Sequence, residues 1–245
     1  MLPVRSNSFS TSSVAPCCSA EPAGKGRAGA CSCAGRAGRS SATSSSRVGR
    51  SSSARVSTER SSRKLPGQSC VASSASAALL IELARVVKPK TLPLDVELLF
   101  LDGEEAVGEW KGDDHTYGSR HYVQAARASG TLKTIAAFVL VDMIGDKDLR
   151  IMRESNSTPW LTDTVWAAAK KLGKREFVSE VTTVEDDHLE FLEAGVPSVD
   201  IIDLDYPAWH RADDTLDKLS AGSLQAVGDV VVAALADIAA RSPKP

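Results

Sequence analysis

Apolar and polar positions change their texture once along the chain, near residue 76. Beyond that point apolar runs and polar breaks alternate in lengths that predict helices and strands in turn. Residues 78–87 read as a buried helix stopped before Pro89. Residues 96–101 and 198–202 are short apolar strands. Residues 135–141 are continuously apolar, as expected of a strand covered on both faces. A further short strand falls at 149–152. Helices are expected at 118–128, at 159–172 with Trp160 and Trp166 on or near its buried face, at 187–193 before Gly195 and Pro197, and at 221–239. Strands alternating with helices predict an α/β fold, a mostly parallel central sheet between helical layers. No internal repeat is seen.

The first 76 residues have no such pattern. They hold 22 serines, 11 Lys and Arg and only two acids, Glu21 and Glu59, for a net charge of +9. Residues 77–245 carry −11, and every Trp, His and Tyr lies there, beyond residue 100. A single 245-residue globule is therefore excluded, and the candidate domain is 76–245. Composition predicts a disordered Ser/Arg/Gly/Ala-rich segment over 1–75.

All five cysteines (Cys17, Cys18, Cys31, Cys33, Cys70) lie in the first piece. Their odd number and their absence from the core exclude a disulfide-built domain. Their spacing lacks the paired pattern of a zinc site. Nothing before Ala77 supplies the apolar run of about 7–15 residues that a secretory signal needs. No run of about 18 apolar residues marks a membrane span. Binding to nucleic acid or membrane is not expected, and compartment and oligomeric state are not legible.

Candidate chemistry gathers where the strands end, which is where α/β sheets place their sites. The first core strand runs into Asp102-Gly103-Glu104-Glu105, the next into Asp142. The third carries Asp200 and Asp203 and leads to Trp209-His210, and Asp186-Asp187 precede His188. So many carboxylates repel one another unless a cation sits among them, and carboxylate with imidazole suits zinc. Neighbours in extended chain point opposite ways, so one of Glu104 and Glu105 can ligate a metal while the other carries a proton. Solvated strand-end acids are the plainer alternative. His121 and His115 read as structural and loop residues, and His188 as support for the site or as helix-start packing.

Five ordered blocks turn these acids into a resemblance. They are Leu101-Asp102-Gly103-Glu104-Glu105-Ala106 with Trp110, Asp114 and Tyr117-Gly118-Ser119-Arg120-His121; Val141-Asp142-Met143-Ile144-Gly145; Asp186-Asp187-His188 on to Val196-Pro197; Trp209-His210; and Asp213-Asp214-Thr215. Together they resemble the glutaminyl-peptide cyclotransferases, which share a three-layer fold with the zinc aminopeptidases and include peptidase-like bacterial relatives, often exported. The resemblance implies Zn2+ held by Glu105 and His210. It implies Glu104 as general base and acid, Asp142 and Asp186 as acids bonded to substrate and to Glu104, and Trp209 as the aromatic wall of the pocket. The implied reaction converts an N-terminal glutamine of a peptide to pyroglutamate with loss of ammonia. The longer loop 109–117 and Trp209 favour the cyclase. Asp142 as an extra ligand, with Glu104 activating water, gives the aminopeptidase alternative. Asp200 stands where a histidine is expected in animal cyclases.

The same resemblance implies a further zinc ligand, an Asp just before the helix that starts near Ser76, and its place falls at Ala72 or Ser73. Neither side chain is a useful zinc ligand. No His precedes His115, no Asp precedes Asp95, and residues 1–70 contain no credible strand run. The domain thus reads as N-terminally truncated. Two accounts stay open, an out-of-frame or misassigned translation of 1–70 joined to a genuine core, and a diverged, non-catalytic peptide-binding chain with a basic tail. Reading the encoding DNA in all frames separates them.

Overall fold

Six strands and five helices build the domain in the order β1 (Ala54–Thr58), α1 (Val71–Val86), β2 (Val96–Phe100), α2 (Tyr117–Ser129), β3 (Phe138–Asp142), β4 (Ile151–Glu154), α3 (Pro159–Leu172), β5 (Phe177–Thr182), α4 (His188–Glu193), β6 (Ser198–Ile202) and α5 (Ala221–Arg241). This is a computed structural model, which describes residues 54–58, 71–88, 92 and 94–242, with backbone alone for 54–58, 72 and 73. Among the described residues every strand pairing is parallel: β1 with β2, β3 with β6, β4 with β5. β4 also lies beside β6. The expected α/β architecture is therefore present.

Helices cover the strands in two layers. α1 and α3 both pack on α5, and α2 packs on α4. The first layer buries Leu79, Leu83, Leu161, Val165, Val227 and Val230 against Ile151, Val199 and Ile201. The second gathers Val123, Phe191 and Val196 with Leu99 and Phe138, the two phenylalanine rings stacked at 3.8 Å. β6 is buried at all five positions, and its alternation sorts them. Val199 and Ile201 enter the large core, while Asp200 between them takes the opposite face. A fully buried carboxylate in the central strand is the first structural sign of a site.

Three differences from the sequence pattern have physical reasons. A strand does occur before residue 70, at Ala54–Thr58, in register from Ala54 opposite Val96 to Thr58 opposite Phe100. Its ARVST sequence has one aliphatic residue, so the ladder along the edge of β2 makes it visible and hydrophobic alternation does not. α1 starts at Val71, five residues before the expected Ser76, where the Val71 N–H donates to Asp214 Oδ2 at 2.7 Å. That acceptor satisfies a first-turn amide from 143 positions away, which no local signal announces. β5 was not expected, since only Phe177 of its six residues is buried and three are exposed, which leaves no alternation. The remainder of the segment expected to be disordered lies outside the described residues, as do the side chains of Ala72 and Ser73.

α5 is 21 residues long, and an 18-residue window of it has a mean hydropathy of 1.6, enough by length and composition to cross a membrane, although Asp229 and Asp237 keep the helix from being an unbroken apolar run. Ala226, Val227, Val230, Val231, Ala234 and Ile238 bury one stripe of it in the core. It is read here as a core helix, apolar because it is packed by two other helices.

Candidate active site

The chain leaving β2 is held by the helix that follows it. Three successive amides of the α2 start donate back to it: Thr116 N to Glu104 O (2.8 Å), Tyr117 N to Gly103 O (2.8 Å) and Gly118 N to Asp102 O (3.0 Å). These use first-turn donors that have no partner within the helix. Gly118 is required at this contact, because a Cβ there would stand 2.4 Å from the Asp102 carbonyl oxygen. Gly103 supplies the positive φ (64°) that turns the chain out of the strand. Glu104 and Glu105 are thereby pinned at a fixed place beyond the strand end.

The intervening loop is organised by Asp114. Its carboxylate accepts the N–H groups of Val107 (3.2 Å), Gly108 (2.7 Å) and Glu109 (3.0 Å) and the Tyr117 hydroxyl (2.5 Å). The Tyr117 bond first, then the amides, hold its pKa down at about 2. Arg120 ties the far end of the loop, donating to the carbonyls of Asp113 and His115 and to Glu190. Trp110 rides on this loop, stacked on His115 at 4.4 Å, with its indole N–H donating to Glu185.

Glu105 and His210 meet. His210 Nε2 lies 2.6 Å from Glu105 Oε1, both side chains about two-fifths exposed (38% and 42%). Trp209 tilts against His210 with ring centroids 4.4 Å apart and stands 43% exposed. Beside them Glu104 is raised to about 8, by burial first and then by the charges of Glu105, Asp187 and Asp142. Asp142 ends β3 and is an electrostatic neighbour of Glu104, Asp186, Asp187 and Asp200 alike. The residues given roles by the resemblance, Glu104, Glu105, Asp142, Asp186, Trp209 and His210, are linked by these contacts and charges.

Behind these lies a fully buried wall. Asp186, Asp187, His188, Asp200 and Glu154 are each 4% exposed or less. Asp186 accepts the Asp187 amide at 2.5 Å, and Asp187 accepts the Ser119 hydroxyl at 2.5 Å. Burial raises both acids, Asp187 to about 7 despite that hydroxyl. His188, which sequence left between two roles, supports the site: its Nε2 lies 3.1 Å from Glu154 Oε2. Glu154 was missed in sequence. The strand-end rule that found Asp102 and Asp142 would have found it had β4 been carried two residues further, to its actual end. Asp203, by contrast, turns away to accept the amides of Arg150 and Asp205.

Backbone strain marks the same place. Among the described residues only Thr116, Met143 and His210 combine a side chain with positive φ, at 50°, 51° and 55°. Thr116 bonds Glu104, Met143 follows Asp142, and His210 faces Glu105. Such strain, about 1–3 kcal/mol per residue, persists where packing imposes it, commonly at functional sites.

A family model described as Peptidase family M28 matches residues 72–235. The chain belongs to this family. Its solved relatives include an Acidobacteriales bacterium glutaminyl cyclase, 46% identical, with a TM-score of 0.63 over 67% of this chain and 60% of that one. A leucine aminopeptidase precursor from Bacteroides thetaiotaomicron is 28% identical with a TM-score of 0.57, over 65% and 59%. The glutaminyl-peptide cyclotransferase-like protein of Mus musculus is 30% identical over 67% of this chain and 50% of its own. The chain therefore spans about half the length of the curated relatives it matches.

Within this M28 domain the fit to zinc is partial. A catalytic zinc usually has three protein ligands and one open position. Glu105 and His210 bring two donors into contact, and no group of three or more donors is assembled among the described residues. The third donor that the family resemblance implied falls at Ala72 or Ser73, whose side chains offer none. The described residues do not make a complete zinc site.

Proposed function

We propose that this chain is a glutaminyl-peptide cyclotransferase-type protein that receives peptide N-termini at the Glu104–Asp142–Asp186 pocket. The observation that carries the reading is Glu104 itself. It is fixed by three backbone bonds of its own segment and raised to about 8 among Glu105, Asp187 and Asp142, and its neighbour Glu105 meets His210, against which the exposed Trp209 tilts. A carboxyl near neutrality can both take and give a proton. Relatives named as glutaminyl cyclases and glutaminyl-peptide cyclotransferases support the same reading.

The acid–base part follows from these residues. The pocket's negative charge attracts the substrate α-ammonium, and that positive charge in turn draws the Glu104 pKa down. Glu104 then removes a proton from the amine. The amine nitrogen forms a bond to the γ-amide carbon, the bond from that carbon to the amide nitrogen breaks, and Glu104 gives its proton to the departing group. Glu104 then takes the second proton that the ring nitrogen sheds and passes it to the released ammonia, which leaves as ammonium. No proton is gained or lost overall, and no outside water is consumed. Asp142 and Asp186 hold the α-nitrogen by accepting its hydrogens, and Trp209 covers the side-chain stem. Glu105 and His210 are the pair we assign to zinc, which supplies carbonyl polarisation when bound.

The leucine aminopeptidase precursor among the structural relatives favours a second reading, hydrolysis of a peptide N-terminus. Two assays on the full chain, with and without added zinc, decide. Release of ammonia and pyroglutamyl peptide from a Gln-peptide supports cyclisation. Release of free amino acid from aminoacyl amides replaces it by the peptidase. Peptide binding with neither product makes the chain a binding module.

A further inference from the structure

The buried wall contains one acid that its surroundings do not accommodate as an anion. Asp200 is fully buried, and neither carboxyl oxygen has a hydrogen-bond partner among the described residues. Its neighbours are differently served. Glu154 accepts five bonds: Asn156 N (2.9 Å) and Val184 N (3.3 Å) on Oε1, Ser157 N (2.7 Å), Ser157 Oγ (2.8 Å) and His188 Nε2 (3.1 Å) on Oε2. Asp186 has the Asp187 amide and Asp187 the Ser119 hydroxyl. A buried carboxylate is tolerated as an anion in proportion to the donors aimed at it. By that measure Glu154 is the anion of this wall and Asp200 is not.

The histidine between them decides where the proton goes. His188 is fully buried at the start of α4, with Nε2 toward Glu154 and Nδ1 3.6 Å from Asp200 Oδ2. Glu154, as an acceptor only, takes the Nε2 hydrogen. A neutral imidazole then leaves Nδ1 as an acceptor, and Nδ1 has no hydrogen-bond partner either. Two buried unpartnered atoms face each other, a few tenths of an ångström beyond bonding distance. A proton on Asp200 satisfies both after a small side-chain rotation. The Asp200 backbone is already anchored to the same group, since its N–H donates to Ser157 Oγ (3.0 Å), which itself donates to Glu154.

We propose that Asp200 is a neutral acid whose hydroxyl donates to His188 Nδ1, completing a buried chain Asp200–His188–Glu154 behind the pocket. Asp200 is then a positioning residue. It places a hydrogen-bonded, uncharged group among Asp142 on β3, Glu154 at the end of β4, Asp187 before α4 and Glu104 after β2, whose charges act on it, and beside Asp186, with which it interacts in turn. The competing arrangement, His188 as imidazolium beside an ionised Asp200, would add a donor-poor anion to those acids. The chain Asp200–His188–Glu154 stands whether or not the protein turns over peptide.

Nitrogen-15 and carbon-13 NMR of the full chain tests this without an activity readout. The four histidines are few enough to assign, and Asp200→Asn identifies His188 by its perturbed shifts. The expected result is a pyrrole-type Nε2 and a pyridine-type Nδ1 on His188, with the Asp200 carboxyl carbon at its protonated shift, unchanged between about pH 6 and about pH 8. In Asp200→Asn the side-chain amide donates to Nδ1 in place of the acid, so the same tautomer persists. His188→Gln gives a second readout in which the Asp200 carboxyl shift alone is followed. Two protonated nitrogens on His188, or an ionised Asp200 carboxylate in this pH range, overturns the proposal.

Discussion

The wall and the rim of the candidate site are built by opposite means. The wall is buried, its acids tied by amides and hydroxyls from β4, α2 and α4, with Asp200 as the exception. The rim is half-exposed, and Glu105 and His210, the pair proposed to hold zinc, lie 2.6 Å from each other. The wall holds its charges by donors supplied within the described chain. In the proposed reading the rim takes a zinc ion, whose third donor is not assembled among the described residues. The difference teaches that an acidic site can be structurally finished at its base while its reactive edge depends on something added.

The largest effect is expected at the base. Glu154→Ala removes a buried acceptor from five donors, leaving them unpaired, which costs about 3–5 kcal/mol by urea unfolding. A loss below about 1 kcal/mol would break the contrast with the rim. The pH dependence carries a sign. Burial alone would raise Glu154, but His188, the Asn156 amide and Ser157 lower it to about 2. A depressed folded value means stability that is present above about 4.5 and lost as pH falls toward about 2. Asp187, raised to about 7, acts the other way, its contribution falling as pH climbs from about 4 through about 7. Asp187→Asn should flatten that second slope and leave the first.

Glu104 joins the two regions and comes next. Glu104→Gln should lower turnover by about two to four orders of magnitude while urea unfolding stays close to that of the unaltered chain. Retained turnover removes Glu104 from the reaction, and a large loss of stability would move it to the wall. At the rim proper, His210→Ala should weaken zinc binding by about 10- to 100-fold in calorimetric titration and leave stability nearly unchanged. Zinc bound as tightly by the variant as by the unaltered chain would place the metal elsewhere.

The same contrast explains what was legible in sequence. α3 and β6 were placed to the residue, because a helix with one buried face writes its period into the chain and a strand buried on both faces reads as a short apolar run bounded by turn residues. Glu104-Glu105, Asp142, Asp186 and Trp209-His210 were legible because they sit in short blocks at strand ends. Glu154 and the role of His188 were not, because their meaning lies in each other, 34 positions apart. β1 was hidden for a related reason, its evidence being a backbone ladder with β2 rather than a side-chain pattern.

The smallest expected effect sharpens the boundary between the regions. Asp114 lies on the rim side, but like the wall acids it is surrounded by donors, three amides and a hydroxyl. Those bonds are local to 107–117 and partly exposed, so they order a loop rather than support the core. Asp114→Ala should leave the unfolding midpoint almost where it was. Hydrogen exchange of the Val107, Gly108 and Glu109 amides should instead rise by about tenfold or more, since local opening no longer breaks a shared acceptor. Acid should do the same to the unaltered chain as pH approaches about 2, where Asp114 itself is protonated. If the midpoint falls with the protection, the loop belongs to the cooperative unit of the wall. If protection alone falls, the loop is a separately ordered edge that can move Trp110 without disturbing Glu104.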